Sequence, residues 1–219
     1  HSTKFYPFEL KPEPDSCWSL HAGPDGKIYA AACCEHEPGG VVHVLRYNDQ
    51  NDLLDHVLNV AEAVGEPFNS GRASQCKIHY SFAPSEPDGM LYAATHLRSP
   101  GYGRKSFAHW GEWKNSKFGF PRSYLIAYDT RRDELAWTSP FIPNEGCRCS
   151  ALDEERGRLY AISYPRDHFW IFDLSKRSIR SLGRLGSVHS QAIFTARQVG
   201  FLPKRVPMTA AFADTVARR

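Results

Sequence analysis

Residues 88–94 read Asp-Gly-Met-Leu-Tyr-Ala-Ala, and two further stretches with a similar pattern occur at 25–31 and 156–162. In each stretch a turn residue and a glycine precede a long side chain, Ile or Leu, Tyr and Ala. A turn of this kind between two alternating runs is a strong hairpin signal, because Asp and Gly both tolerate a positive φ. The pattern therefore predicts three β-hairpins, one in each of three similar units.

Alternating β-branched and aromatic residues surround each hairpin and predict strands. These runs lie at 17–20, 76–82 and 147–152, at 41–47, 124–129 and 169–174, and at 134–141 and 179–185. A repeated unit of about four antiparallel strands is a propeller blade. We therefore expect an all-β fold, namely a β-propeller of four-stranded antiparallel blades in a single domain, 1–219.

The predicted blades span about 15–73, 74–146 and 147–186, with a partial blade at 187–219. Closed propellers need about 4–8 blades, so we expect an incomplete arc of about three to four. Such a chain is either a fragment of a longer protein or closes by self-association, since open sheet edges favour pairing. Within the first unit, residues 52–63 fit either an amphipathic helix or a further strand.

Composition excludes several classes of protein. The chain has 219 residues, of which 42% are apolar, and a net charge of +3. The apolar content argues against disorder, and no apolar stretch is long enough to span a bilayer. The weak charge, without a Lys/Arg-rich run, argues against a nucleic-acid partner.

Six cysteines leave three interpretations open. Buried free thiols are favoured, with disulfides or a metal site built with histidine as alternatives. The segment 33–36 (Cys-Cys-Glu-His), together with His43, is the candidate metal site, and Zn or Ca is the candidate divalent metal. A surface loop beside buried thiols explains the same residues.

Two histidines distinguish the second unit from the others. His79 lies in its first run and His96 in the run after the Asp-Gly turn, so we expect them on adjacent antiparallel strands. Alternation places Ile78 and Tyr80 on the face opposite His79. The pair either serves the fold or faces a central channel.

An insert at 97–113 follows His96 and is rich in Gly, Arg and aromatic residues. Long loops on a rigid scaffold are often functional. Aromatic faces stack on sugar rings and arginines bind carboxylates, so Tyr102, Arg104 and Trp110 are candidate substrate-binding residues. The alternative is an ordered packing loop.

Neighbouring units carry polar residues at matching positions. Arg148 lies near the position of His79, Tyr164 and Arg166 near that of His96, and His189 falls in the would-be fourth unit. A buried arginine needs a carboxylate or a ligand. The predicted channel-facing set is His79, His96, Arg148, Tyr164 and His189, with Arg166 and Lys77.

Over about 74–186 the chain resembles the β-propeller polysaccharide lyases, especially the ulvan and oligouronide lyases. The resemblance rests on Lys77-Ile78-His79, the turn 88–92, Thr95-His96, the Gly/aromatic insert and Tyr164-Pro165-Arg166. Those enzymes are seven-bladed propellers, so this chain departs from them by lacking about half the blades.

The resemblance implies β-elimination on an acidic polysaccharide or oligosaccharide containing uronate. It implies His and Tyr as acid and base, so the candidate catalytic residues are His79, His96 and Tyr164. We expect each histidine to act as acid, as base or as a contact to the carboxylate, and Tyr164 to act as the base. Substrate binding would then fall to Arg148, Arg166, Tyr102, Arg104, Trp110 and His189. A secreted or periplasmic location is expected from polymer degradation. The alternatives are a non-catalytic propeller module that binds a glycan or a protein, and a nonfunctional truncated product.

Overall fold

The computed structural model describes residues 6, 9–35, 40–66, 72–97, 119–186 and 193. The described residues form thirteen strands in three antiparallel sheets, with one four-residue helix. The all-β prediction is therefore confirmed, and none of the three sheets is closed.

Each sheet is built from strands that follow one another along the chain. The first contains β1 (Ser16–Ala22), β2 (Ile28–Cys33), β3 (Val42–Asn48) and β4 (Leu53–Asn59), followed by α1 (Val60–Ala63). The second contains β5 (Gln75–Ile78), β6 (Ala83–Ser85), β7 (Met90–Leu97), β8 (Arg122–Asp129) and β9 (Glu134–Pro143). The third contains β10 (Gly146–Asp153), β11 (Arg158–Tyr164), β12 (His168–Asp173) and β13 (Ser178–Arg184).

The three predicted hairpins are present, between β1 and β2, β6 and β7, and β10 and β11. Their turn glycines have positive φ, for example 72° at Gly89, a conformation that glycine adopts without steric cost. The Tyr92 hydroxyl donates to Asp88 at 3.1 Å, and Tyr29 donates to Asp25 at the same distance. The tyrosine in the pattern thus fastens the second strand to its own turn in two of the three hairpins.

The second sheet lies between the other two and is apolar on both faces. Leu91 and Ala93 pack into a core shared with the first sheet, whereas Tyr92 and Ala94 pack into a core shared with the third. Alternation along β7 explains how one strand serves two cores. Each fully buried Leu or Ile side chain stabilises the fold by about 1.5–3 kcal/mol, so both interfaces contribute substantially.

Residues 52–63 contain both elements that the sequence allowed. They form β4 and then α1, which begins after Asn59, whose side chain accepts from the backbone amide of Ala61 at 3.1 Å. Most of this segment is therefore a strand paired with β3.

All six cysteines are free thiols. Five are buried, as predicted, whereas Cys17 is exposed. Burial raises the pKa of Cys33 and of Cys149 to about 12, so these thiols stay protonated at neutral pH.

The partial blade predicted at 187–219, apart from residue 193, lies outside the described residues. Within the described part of the chain, no helix has the length and apolar character needed to cross a membrane.

Candidate functional site

Four aromatic rings from the three sheets stack one after another, and we call them the ring column: Trp18, His79, His96 and Tyr164. The centroids of Trp18 and His79 are 4.8 Å apart, with the ring planes 13° from parallel. The step from His79 to His96 is 5.3 Å and that from His96 to Tyr164 is 5.2 Å. The structure thus brings the three predicted catalytic residues together.

Strand pairing places the two histidines beside each other. His79 directly follows β5, and β5 pairs antiparallel with β7 so that Lys77 lies opposite His96. The expected antiparallel pairing is therefore present between β5 and β7, but His79 lies one residue beyond the end of β5, and the turn at Gly89 joins β6 rather than β5 to β7.

Irregular register accompanies two further side chains of the site. Register shifts flank Trp18 in β1 and Arg148 in β10. Bulges of this kind redirect side chains and are common next to functional sites.

Gly146 allows His96 to approach the third sheet. A Cβ atom at this position would lie 2.9 Å from Cγ of His96 and 2.9 Å from the backbone nitrogen of Leu97. Gly146 also pairs with Tyr164 across the β10–β11 ladder. A side chain at residue 146 would therefore push His96 away from its place beside Tyr164.

His79 is 2% exposed, and its Nδ1 lies 3.0 Å from the carbonyl oxygen of Arg148. Because a carbonyl only accepts, Nδ1 carries the proton and Nε2 carries the lone pair. Burial, with the nearby charges of Arg148 and Lys77, lowers the pKa of His79 to about 4. The imidazole is therefore neutral at physiological pH.

His96 is 1% exposed and has the same tautomer, since its Nδ1 lies 2.9 Å from the carbonyl oxygen of Leu97. Its buried Nε2 has no hydrogen bond to any described residue. Burial, together with the charge of Lys77, holds the pKa of His96 well below its ordinary value. The column thus contains a second neutral imidazole, whose Nε2 lone pair has no hydrogen bond to a described residue.

Tyr164 ends the column and lies beside a cation. The guanidinium carbon of Arg148 is 5.2 Å from the centroid of the Tyr164 ring. Burial raises the pKa of the Tyr164 phenol, and the opposing effect of Arg148 is smaller. A phenol that keeps its proton suits an acid rather than the base expected from the sequence.

A buried ion pair supports the other end of the column, and sequence reasoning did not connect its members. Nζ of Lys77 lies 2.9 Å from Oε1 of Glu35, while Nε1 of Trp18 donates to Oε2 of Glu35 at 2.6 Å. Lys77 also lies over the Trp18 ring, 5.8 Å from its centroid. Lys77 belongs to the second sheet, whereas Glu35 lies shortly after the second strand of the first sheet, so this ion pair depends on packing between sheets.

Tyr80 departs from the expected alternation. Its φ of 43° turns the chain directly after His79, and its ring centroid lies 4.4 Å from that of His79, with the planes at 89°. Tyr80 therefore contacts His79 instead of facing away from it.

Arg166, another predicted substrate-binding residue, belongs to a different cluster. The guanidinium of Arg166 pairs with the buried carboxylate of Glu145, which also accepts from Ser163 and lies 3.1 Å from Nδ1 of His168. We call these four residues the Glu145 cluster. The predicted substrate-binding residues outside the described residues are Tyr102, Arg104, Trp110 and His189.

The candidate metal site is not assembled in the part of the chain that the structure describes. No group of three or more His, Cys, Asp or Glu residues there is arranged to hold a metal ion. His43 instead contacts His56, with Nδ1 and Nε2 3.0 Å apart, and His36 lies outside the described residues.

No protein family profile matches the chain, and a search of curated proteins finds no match. The chemistry of the site therefore has to be argued from its own residues. The column offers a neutral base, a phenolic acid and an adjacent guanidinium, which together suit proton transfer next to an anionic group.

Proposed function

We propose that the chain is a polysaccharide lyase, or part of one, that cleaves a uronate-containing glycan by β-elimination. The observation that carries this proposal is the ring column, in which His96 and Tyr164 lie 5.2 Å apart beside the guanidinium of Arg148. In this proposal the three sheets are blades of an incomplete β-propeller, with the column at the mouth of its central channel.

The proposed reaction assigns one role to each of these residues. Arg148 binds the uronate carboxylate and offsets the charge that develops when the C5 proton is removed. Nε2 of His96 takes that proton. The electron pair left on C5 forms the C4–C5 double bond as the C4–O bond breaks, and the departing oxygen takes a proton from Tyr164. His79 contacts the carboxylate or stands in as a second base.

The proposed substrate also determines the charge of the binding partner and the compartment in which the enzyme acts. The partner is an acidic polysaccharide or oligosaccharide, which Arg148 attracts. An enzyme that degrades such polymers acts outside the cytoplasm, so the proposal includes a secreted or periplasmic location.

The near-complete burial of both imidazoles favours a second candidate, a non-catalytic module that binds a glycan or a protein. In that case the rings of His79 and His96 only contribute to packing. The contact surface is formed by three partly exposed side chains, those of Trp18, Tyr164 and Arg148.

Incubation with ulvan tests the two candidates against each other. A lyase produces an unsaturated uronyl end, which absorbs in the ultraviolet, and Tyr164→Phe is expected to lower that rate by roughly 10²–10⁴-fold by removing the acid. Leu20→Ser, at an exposed position on β1, is the matched control and leaves the rate unchanged. Binding of ulvan without any rise in absorbance would favour the binding module, and full activity of the Tyr164 variant would reject the assigned roles.

A further inference from the structure

Tyr80 occupies a backbone conformation that does not suit its side chain. In the described ranges six non-glycine residues have positive φ, and four of them are Asp or Asn, which tolerate it. Another is Arg177, whose guanidinium lies over the Trp137 ring. A tyrosine at φ 43° is strained, and such strain is concentrated at functional sites.

The main-chain hydrogen bonds of Tyr80 explain why the chain turns here, but they do not explain why the residue is a tyrosine. Its amide donates to the carbonyl oxygen of Trp18 at 3.3 Å, and its carbonyl oxygen accepts from the amide of Ser150 at 3.2 Å. These bonds tie the first and third sheets to the second. They use only main-chain atoms, so a glycine would form them without strain.

The side chain is open to solvent next to a buried site. Tyr80 is 48% exposed, whereas the adjoining His79 is 2% exposed. Its ring stands at 89° both to the His79 ring and to the Trp18 ring, whose centroid is 6.4 Å away. An aromatic face at the surface of the ring column is therefore kept at a position where folding favours a smaller residue.

We propose that Tyr80 binds a pyranose ring of the glycan by stacking, next to the uronate that Arg148 holds. This inference rests on the proposed function and names the residue that recognises the neighbouring sugar. Aromatic rings present flat apolar faces to the C–H groups of sugars, and Tyr has few rotatable bonds to fix on binding.

The test compares Tyr80→Gly with the unmodified protein on ulvan oligosaccharides. Glycine preserves the main-chain bonds, so we expect the thermal midpoint to change little and KM to rise about tenfold, the loss of one stacking contact. Tyr80→Asn, which also tolerates positive φ, gives the same reading if the glycine variant does not fold. Tyr80→Phe keeps the ring and should retain most of the affinity. Leu182→Ser is the control for the loss of an apolar side chain from the surface, since Leu182 is 50% exposed on β13.

The outcomes separate this inference from the lyase proposal. Turnover with an unchanged KM in the glycine and asparagine variants would overturn the role of Tyr80 and leave the lyase intact. If the unmodified protein binds the oligosaccharides by calorimetry without turnover, weaker binding by the Tyr80→Gly variant still supports the inference. Absence of both turnover and binding in the unmodified protein would overturn both.

Discussion

The ring column and the Glu145 cluster both contain histidine in a largely buried setting, but they use it differently. In the column, Nδ1 of His79 and of His96 point to backbone carbonyl oxygens, and Nε2 of His96 has no hydrogen bond to a described residue. In the Glu145 cluster, His168 contacts a carboxylate that Arg166 and Ser163 also contact. The column therefore retains an imidazole nitrogen with no hydrogen bond to a described residue, whereas the charged groups of the Glu145 cluster pair with one another and stabilise the fold.

Replacing His96 should therefore affect activity far more than stability. We expect His96→Gln to lower the rate of ulvan cleavage by roughly 10²–10⁴-fold, because the proposed base is lost. The free energy of unfolding should fall by only about 1 kcal/mol. The cleavage rate and the free energy of unfolding from urea denaturation are measured on the same samples. Full activity of the variant would contradict the difference proposed between the two clusters.

Replacing Glu145 should have the opposite effect. The change Glu145→Ala removes the acceptor for Arg166, Ser163 and His168, so we expect the free energy of unfolding to fall by about 3 kcal/mol. Cleavage per folded molecule should stay near that of the unmodified protein. Urea denaturation measures the loss, with the exposed Glu155→Ala as the control, expected within about 0.5 kcal/mol. A large loss of activity at unchanged stability would place Glu145 in the site.

The neutral state of His79 predicts an acid-sensitive fold. Its pKa is about 4 in the folded protein and near 6.5 when unfolded, so the unfolded chain takes up a proton first as the pH falls. The free energy of unfolding should therefore fall by about 3 kcal/mol as the pH falls from 6.5 to 4. Above pH 6.5 this contribution of His79 is fully present. Subtracting the denaturation profile of His79→Gln isolates the contribution, and identical slopes for both proteins would contradict it.

Local chemistry explains which features the sequence could predict. The hairpin at Gly89 follows from residues adjacent in the chain, and the runs on either side of it predicted that the segments of His79 and His96 lie side by side. The ion pair between Lys77 and Glu35, by contrast, joins the second sheet to the first and depends on packing between sheets, which no short pattern encodes. The left-handed turn at Tyr80 also broke the alternation that the prediction assumed.

Arg166 is a residue that the sequence assigned to the wrong cluster. Its position beside Tyr164 in the sequence suggested a shared site, but its guanidinium pairs with Glu145, which lies in the turn before β10. Gly146, the next residue, makes room for His96 through a contact between two sheets. The first contact depends on the register of the β10–β11 pair, and the second on how the second and third sheets pack against each other.

Because one of the six cysteines is exposed and five are buried, the folded protein can be labelled at a single thiol. Cys17 is exposed and directly precedes Trp18, whereas the other five thiols are buried. A maleimide dye added to the folded protein would therefore couple next to the ring column and nowhere else. Fluorescence from that one position would report sugar arriving at Trp18, and delayed coupling at the five remaining thiols would time the opening of the sheets.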